Sequence, residues 1–304
     1  MVKEIIIDTD IGCDSDDAGA LAVAYALQYQ GKCRINAITH CTSRLDGCNT
    51  IDAISRYYGV YDIPIGIYKP NGFLDKDDIP YYTRFVQQHF EHKFQLKSEC
   101  PDAVKVLRQA LVDSNEGNVS LVGIGPSVNL SNLLDSQPDE ISELTGRELI
   151  AKKQCSLIVM AGCFEKSLYH CLANNAEWNV NQAISEAQNV FDNWPCQVFV
   201  VPFESGYDII TGKSLQETGE LNPVWVSYRE FGHIGRNSWD PCAVLFSIEE
   251  NLSVWDISPI GKVSISDEGI SSFVESNCGN HRIVHIKDKP QTTATLESLM
   301  GRKP

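Results

Sequence analysis

The run Asp8-Thr9-Asp10-Ile11-Gly12-Cys13-Asp14-Ser15-Asp16-Asp17 sets five carboxylates within ten residues. The apolar Ile5-Ile6-Ile7 precedes it and Ala18-Gly19-Ala20-Leu21-Ala22-Val23-Ala24 follows, so the acids stand at a strand-to-helix turn. Anions this close repel one another appreciably even at an effective dielectric of about 20. A helix N-terminus accommodates one or two acids. A hard divalent cation accommodates the rest, and oxygen donors without paired Cys or His favour Ca²⁺ or Mg²⁺ over zinc. Asp8 and Asp10 would share a strand face by the period of two, with Asp14, Asp16 and Asp17 folding back toward them. Helix capping alone explains Asp16 and Asp17 and leaves the other acids unaccounted for.

A second cluster, Asn174-Asn175-Ala176-Glu177-Trp178-Asn179, carries the group types that grip a sugar. Amides and a carboxylate bond hydroxyls, and the indole supplies apolar area; taken alone, the segment also reads as a loop of turn formers with a surface Trp. A third, Ser238-Trp239-Asp240-Pro241, reads in isolation as a helix N-cap. The neighbours His40-Cys41 and His170-Cys171 raise a thiol nucleophile. It is set aside, because adjacent residues usually point apart and nothing supplies an oxyanion hole.

These residues need a scaffold. Strand-like runs at 3–8, 33–39, 63–68, 119–123, 156–161 and 198–202 alternate with helical patterns at 17–29, 49–58, 101–114, 128–134 and 181–192. That alternation predicts an α/β fold with a mostly parallel central sheet flanked by helices, with ligands at the carboxyl ends of its strands. Asp8, Asp10 and Gly123-Ile124-Gly125-Pro126 fall at such ends. A helix is expected from about Asp240, and short antiparallel strands at 254–257, 262–265 and 281–286. No repeat or Pro/Gly/Ser-rich linker divides the 304 residues, so one domain is expected.

With 40 acidic against 25 basic residues and a net charge of −15, the chain suits neither nucleic acid nor an anionic membrane surface. A small-molecule partner is expected. Eleven scattered Cys without a CxxC pair, and no signal-peptide or membrane-spanning run, point to a reduced, cytoplasmic protein. The Asn-x-Ser matches at Asn118, Asn129 and Asn251 are then fortuitous.

Taken together, the clusters resemble the inosine–uridine-preferring nucleoside hydrolase family. Asp8-Thr9-Asp10-Ile11-Gly12…Asp16-Asp17-Ala18 resembles its opening signature, in a form with two extra residues. Leu121-Val122-Gly123-Ile124-Gly125-Pro126-Ser127-Val128-Asn129-Leu130 resembles its strand and turn ending in Gly-Pro-Leu-Thr-Asn. Met160-Ala161-Gly162 with Ala176-Glu177-Trp178-Asn179 resembles Met-Gly-Gly…Glu-Phe-Asn, and Trp239-Asp240 before an apolar helix resembles the late metal-binding Asp. The resemblance spans about residues 3 to 250.

It implies a Rossmann-like core, a homo-oligomer (dimer or tetramer) and a role in nucleoside catabolism and salvage. It also implies Ca²⁺ held by Asp10, Asp17, Asp240 and the Ile124 carbonyl, with ribose hydroxyls completing the shell. Asp16 and Asn179 would bind ribose hydroxyls and Glu177 the 5′-hydroxyl, with Trp178 and Trp239 also against the substrate. Asp10 would act as general base toward the attacking water. The amide ahead of the Glu element has no clear match; register points to Cys171, with Asn174 or Asn175 as alternatives. Purine-active members carry His where Trp239 stands, and His233 lies seven residues before Asp240.

The implied activity is hydrolysis of a ribonucleoside to ribose and free base. The alternative is a nucleoside- or sugar-binding relative that keeps the metal site and lacks the leaving-group acid. A haloacid dehalogenase-type phosphotransferase also opens on Asp-x-Asp, but it expects Thr or Val at Gly12 and leaves the sugar-type cluster unexplained.

Overall fold

The computed structural model describes residues 2–76 and 82–302. Its strands are β1 (Lys3–Thr9), β2 (Cys33–His40), β3 (Ile65–Ile67), β4 (Val119–Gly123), β5 (Ser156–Met160), β6 (Val198–Val201), β7 (Ile210–Thr211), β8 (Arg236–Asn237), β9 (Trp255–Ile257), β10 (Gly261–Ile265), β11 (Ser271–Glu275) and β12 (His281–Ile286). The helices are α1 (Asp16–Tyr29), α2 (Leu45–Tyr57), α3 (Tyr82–His89), α4 (Ala103–Asp113), α5 (Val128–Asp135), α6 (Gly146–Lys153), α7 (Trp178–Gln182), α8 (Ile184–Asn193), α9 (Phe203–Gly206), α10 (Pro223–Phe231), α11 (Trp239–Ile248) and α12 (Lys289–Met300).

The main sheet runs β11-β10-β12-β6-β5-β4-β1-β2-β3, with β9 paired to β12. From β3 to β12 every pairing is parallel, while β9, β10 and β11 are antiparallel. The chain steps from β1 outward to β2 and β3, then returns to the other side of β1 to lay down β4, β5 and β6. The sheet order therefore reverses between β1 and β4. In an open α/β sheet that reversal opens a crevice at the carboxyl ends of the strands. Asp10 follows β1 and Ile124 follows β4, and the Ile124 N–H donates to the Asp8 carbonyl at 2.8 Å.

Strand parity sorts β1 between two apolar layers. Ile5 and Ile7 join the core that contains the α1 and α11 side chains, and Ile6 joins the one beneath α4, α5 and α6. By the same parity Asp8 points toward α5 and Thr9 toward α1. The strand ends at Thr9, so the face shared by Asp8 and Asp10 that the period of two predicts does not extend to Asp10. Asp8 is instead tied down by Thr39 Oγ1 at 2.5 Å and Asn129 Nδ2 at 2.8 Å.

Segment 281–286 is not wholly antiparallel: β12 adds to the parallel sheet beside β6 and pairs antiparallel with β9 and β10. The helix expected over 181–192 is two, α7 and α8, broken at Ala183 with φ −151°. Helix α1 is buried from Asp16 to Leu27, and its small residues let α11, α10 and α12 approach closely. A Cβ on Gly19 would lie 2.4 Å from the Tyr228 hydroxyl and 2.8 Å from Met300 Cε. Gly19→Val should therefore destabilise the fold by about 1–3 kcal/mol through overpacking. Thermal denaturation checks this; an unchanged midpoint would contradict the packing described.

Candidate active site

Two helices open on the crevice with acids in their first turns: Asp16 and Asp17 on α1, Asp240 on α11. Their carboxylate oxygens lie within 4.8 Å of one another. Exposure of these three side chains is 2 %, 1 % and 5 %. Burial first, and then the charges of the neighbouring Asp residues, push all three carboxyls well above the usual range. Several contacts set the cluster's shape. The Asp240 backbone N–H donates to Asp16 Oδ2 at 3.1 Å, and Thr9 Oγ1 donates to Asp17. The converging helix N-termini supply partial positive charge.

Asp10 also lines the crevice and is buried, and its carboxyl is raised chiefly by desolvation. Gly125 gives it room: a Cβ there would sit 2.8 Å from the Asp10 nitrogen and 2.9 Å from its Oδ1. Asp14 leaves the cluster, because Arg236 holds it with contacts of 2.9, 3.0 and 2.6 Å. Asp8 lies beneath the crevice rather than in it. Of the five acids in the opening run, then, two join Asp240 in the tight group, Asp10 stands beside it, and Asp14 and Asp8 are held by other partners. Among the described residues this is the group of three acids that could hold a metal ion. Buried oxygens with no cation among them fit a hard divalent ion.

The acids form one wall of a cavity of about 530 Å³. Ile124 lies beside them, and Glu177, Trp178 and Asn179 form another side. Glu177 caps α7, accepting from the N–H groups of Asn179 at 2.9 Å, Gly162 at 3.0 Å and Val180 at 3.2 Å. Burial nonetheless pushes its carboxyl up to about 7. The Asn179 amide donates to the Met160 carbonyl at 3.0 Å, which fixes its orientation. Asn175 is different. It is exposed, has φ 61°, and does not line the cavity.

The remaining end is aromatic. Trp239 stacks on Phe203 with centroids 5.2 Å apart and planes at 24°, and its indole N–H donates to the Phe203 carbonyl at 2.8 Å. Gly206 permits this approach, since a Cβ there would lie 2.6 Å from the Trp239 Cα. The Arg236 guanidinium lies 5.0 Å from the Trp239 ring centroid. His233 is exposed, packs on Phe231 and does not line the cavity.

The two His-Cys neighbours part ways. His40 Nε2 faces the Ile11 carbonyl at 3.2 Å, while Cys41 is fully buried and its thiol is pushed well up by burial. His170 and Cys171 do meet, with Nε2 and Sγ 3.3 Å apart in a 3₁₀ turn, and Cys171 lies 3.4 Å from the Tyr207 hydroxyl. Arg236 and Tyr207, both on the cavity wall, were not anticipated from sequence; they sit in the segment between residues 203 and 240 where no periodic pattern stands out.

The profile of the inosine-uridine preferring nucleoside hydrolases matches residues 5–295. The chain belongs to that family. Nucleoside hydrolases are N-glycosyl hydrolases, and the α/β architecture agrees with solved structures. A plant nucleoside hydrolase superposes with a TM-score of 0.75 at 17 % identity, covering 99 % of both chains. An inosine-guanosine nucleoside hydrolase gives 0.74 at 19 % identity, again over 99 % of both. An inosine-uridine preferring nucleoside hydrolase from Bacillus anthracis gives 0.70 at 14 % identity over 99 % of both. No curated protein sequence matches the chain. Among the described residues no helix is long and apolar enough to cross a membrane.

An ion bound among the acids stabilises the folded state, by about 2.7 kcal/mol at a hundredfold excess over Kd. A divalent cation should raise the thermal midpoint by several degrees, and Asp240→Asn should remove most of that rise. An equal rise in the variant would place the ion elsewhere.

Proposed function

We propose that the protein is a Ca²⁺-dependent N-ribohydrolase that splits a ribonucleoside into ribose and free base. The observation that carries this reading is the three buried carboxylates Asp16, Asp17 and Asp240, facing Glu177 and Asn179 across one cavity whose far end is aromatic. That arrangement suits a polar sugar at one end and a flat heterocycle at the other. In this reading Asp10, Asp17, Asp240 and the Ile124 carbonyl hold Ca²⁺, which when bound orients ribose hydroxyls and acidifies water. The Asp16 carboxylate lies within 4.8 Å of those of Asp17 and Asp240, so it would sit beside the ion while binding a ribose hydroxyl.

Asp10 takes the proton of the water that attacks the anomeric carbon. Asn179 and Glu177 hold ribose hydroxyls, the latter at the 5′ position. The anionic wall stabilises the oxocarbenium-like transition state. Trp178 and Trp239 cover apolar faces of the substrate. Eleven free cysteines agree with a reducing, cytoplasmic setting. The sheet that runs unbroken from β3 to β11 supports one domain. The homo-oligomer rests on family resemblance.

A reducing-sugar assay with inosine, uridine, adenosine, guanosine and cytidine tests the activity. Ribose release that a chelator abolishes is expected from at least one of them. Calcium binding without turnover on any would favour the non-catalytic binding relative, which Trp239 in place of His keeps in view. Asp10→Ala should lower kcat by at least about 100-fold, the scale of a lost general base. A loss under about tenfold would remove Asp10 from that role. For Asn179→Ala, kcat/KM should fall by about tenfold, one hydrogen bond's worth; an unchanged value would separate it from ribose.

A further inference from the structure

When an N-glycosidic bond breaks, the departing nitrogen keeps the bonding electron pair, and a positioned acid speeds that departure. Most polar groups at the aromatic end of the cavity have no proton to give. The Trp239 N–H is spent on the Phe203 carbonyl. Arg236 is gripped by both oxygens of Asp14, and a guanidinium does not release its proton. The Asn237 amide donates to the Tyr207 carbonyl and carries no acidic proton.

Two wall groups at this end do carry transferable protons, the Tyr207 phenol and the Cys171 thiol, 3.4 Å apart. Phe203 has Trp239 at 5.2 Å and Tyr207 at 5.3 Å between ring centroids, so the phenol adjoins the aromatic row. Behind the thiol stands His170, with Nε2 at 3.3 Å from Sγ. Its Nδ1 lies 2.7 Å from the Ser167 carbonyl, which can only accept, so Nδ1 carries a hydrogen and Nε2 is the atom that exchanges a proton with Cys171. His170 is exposed and reloads from solvent.

We propose that Tyr207 is the catalytic acid toward the departing base, and that Cys171 and His170 are positioning residues forming a relay that returns its proton. This rests on the N-ribohydrolase reading above. As the C1′–N bond breaks, its electron pair passes to the base nitrogen, which takes the Tyr207 hydroxyl proton. The Cys171 thiol proton moves to the phenol oxygen, and the His170 Nε2 proton moves to sulfur. Imidazolium becomes neutral imidazole, phenol and thiol are regenerated, and the net transfer is one proton from His170 to the base. The proton of the attacking water goes separately to Asp10.

The test compares inosine with 4-nitrophenyl β-D-riboside, whose phenolate leaves without a proton, in the intact chain with Ca²⁺. Tyr207→Phe should slow inosine by about 100-fold or more and the nitrophenyl riboside by less than about tenfold. Cys171→Ala and His170→Gln should show the same skew, while Cys171→Ser, whose hydroxyl still passes a proton, should recover most of the inosine rate. Equal losses on both substrates, or no loss on inosine, would overturn the relay. Wild-type turnover without skew in the variants overturns the relay alone. Wild-type silence on both substrates overturns the hydrolase reading and the relay with it.

Discussion

Bringing Asp10, Asp16, Asp17 and Asp240 together out of water is the constraint to which the rest of the fold answers. An unpaired buried ion costs several kcal/mol even after relaxation, and these four raise one another's cost. The architecture meets this with positive charge it can fix in place. Helices α1 and α11 end their dipoles on the cluster, and their close packing depends on the small residues of α1. Residual negative charge is what a divalent cation would neutralise, and the same charge would favour a cationic sugar ring during bond cleavage. Stability without an ion and affinity for one are therefore opposed by construction.

Much of this was legible in the sequence because it is local. The apolar run into an acidic turn into an Ala-rich helix gives β1 and α1 directly, and six of the parallel strands lie within a few residues of where their β-branched runs predict. Asp240 at a helix start was readable from Pro241 and the apolar residues that follow. Other local signals are realised as well: Thr145 and Glu148 form a capping box that opens α6, and Asn222 with Pro223 opens α10. What local reasoning could not give is pairing across the chain. Asp14 meets Arg236 over 222 residues and Asp8 meets Asn129 over 121. The parallel placement of β12 follows from where β6 stands, not from the sequence of β12.

Asp14 shows how a local departure acquires a distant consequence. Residues 11–15 form a loop in which Gly12 adopts φ 123°, a region that favours glycine. This loop carries Asp14 away from the other acids and toward Arg236. The guanidinium fork engages the carboxylate with Nε and Nη2 while lying over Trp239 and Phe231. A partly exposed ion pair is ordinarily worth little, but a two-point fork has geometric value. It fastens the segment of β8 to the opening loop of α1, and so sets the aromatic end of the cavity relative to the acidic end.

The two ends then divide the chemistry by polarity. At the acidic end the carboxylates accept protons when ionised, the form in which they would hold a cation. At the aromatic end the indole nitrogen is occupied and the nearest cation holds its proton permanently. In the proposed reaction, which sends one proton to solvent through Asp10 and one to the base, the second would be drawn from another group. Trp239 supplies a flat surface and an apolar setting, in which hydrogen bonds to a departing base are stronger than in water; it supplies no proton. On the proposed reading, the edge of that surface where Tyr207, Cys171 and His170 meet is where the charge of the reaction would be balanced.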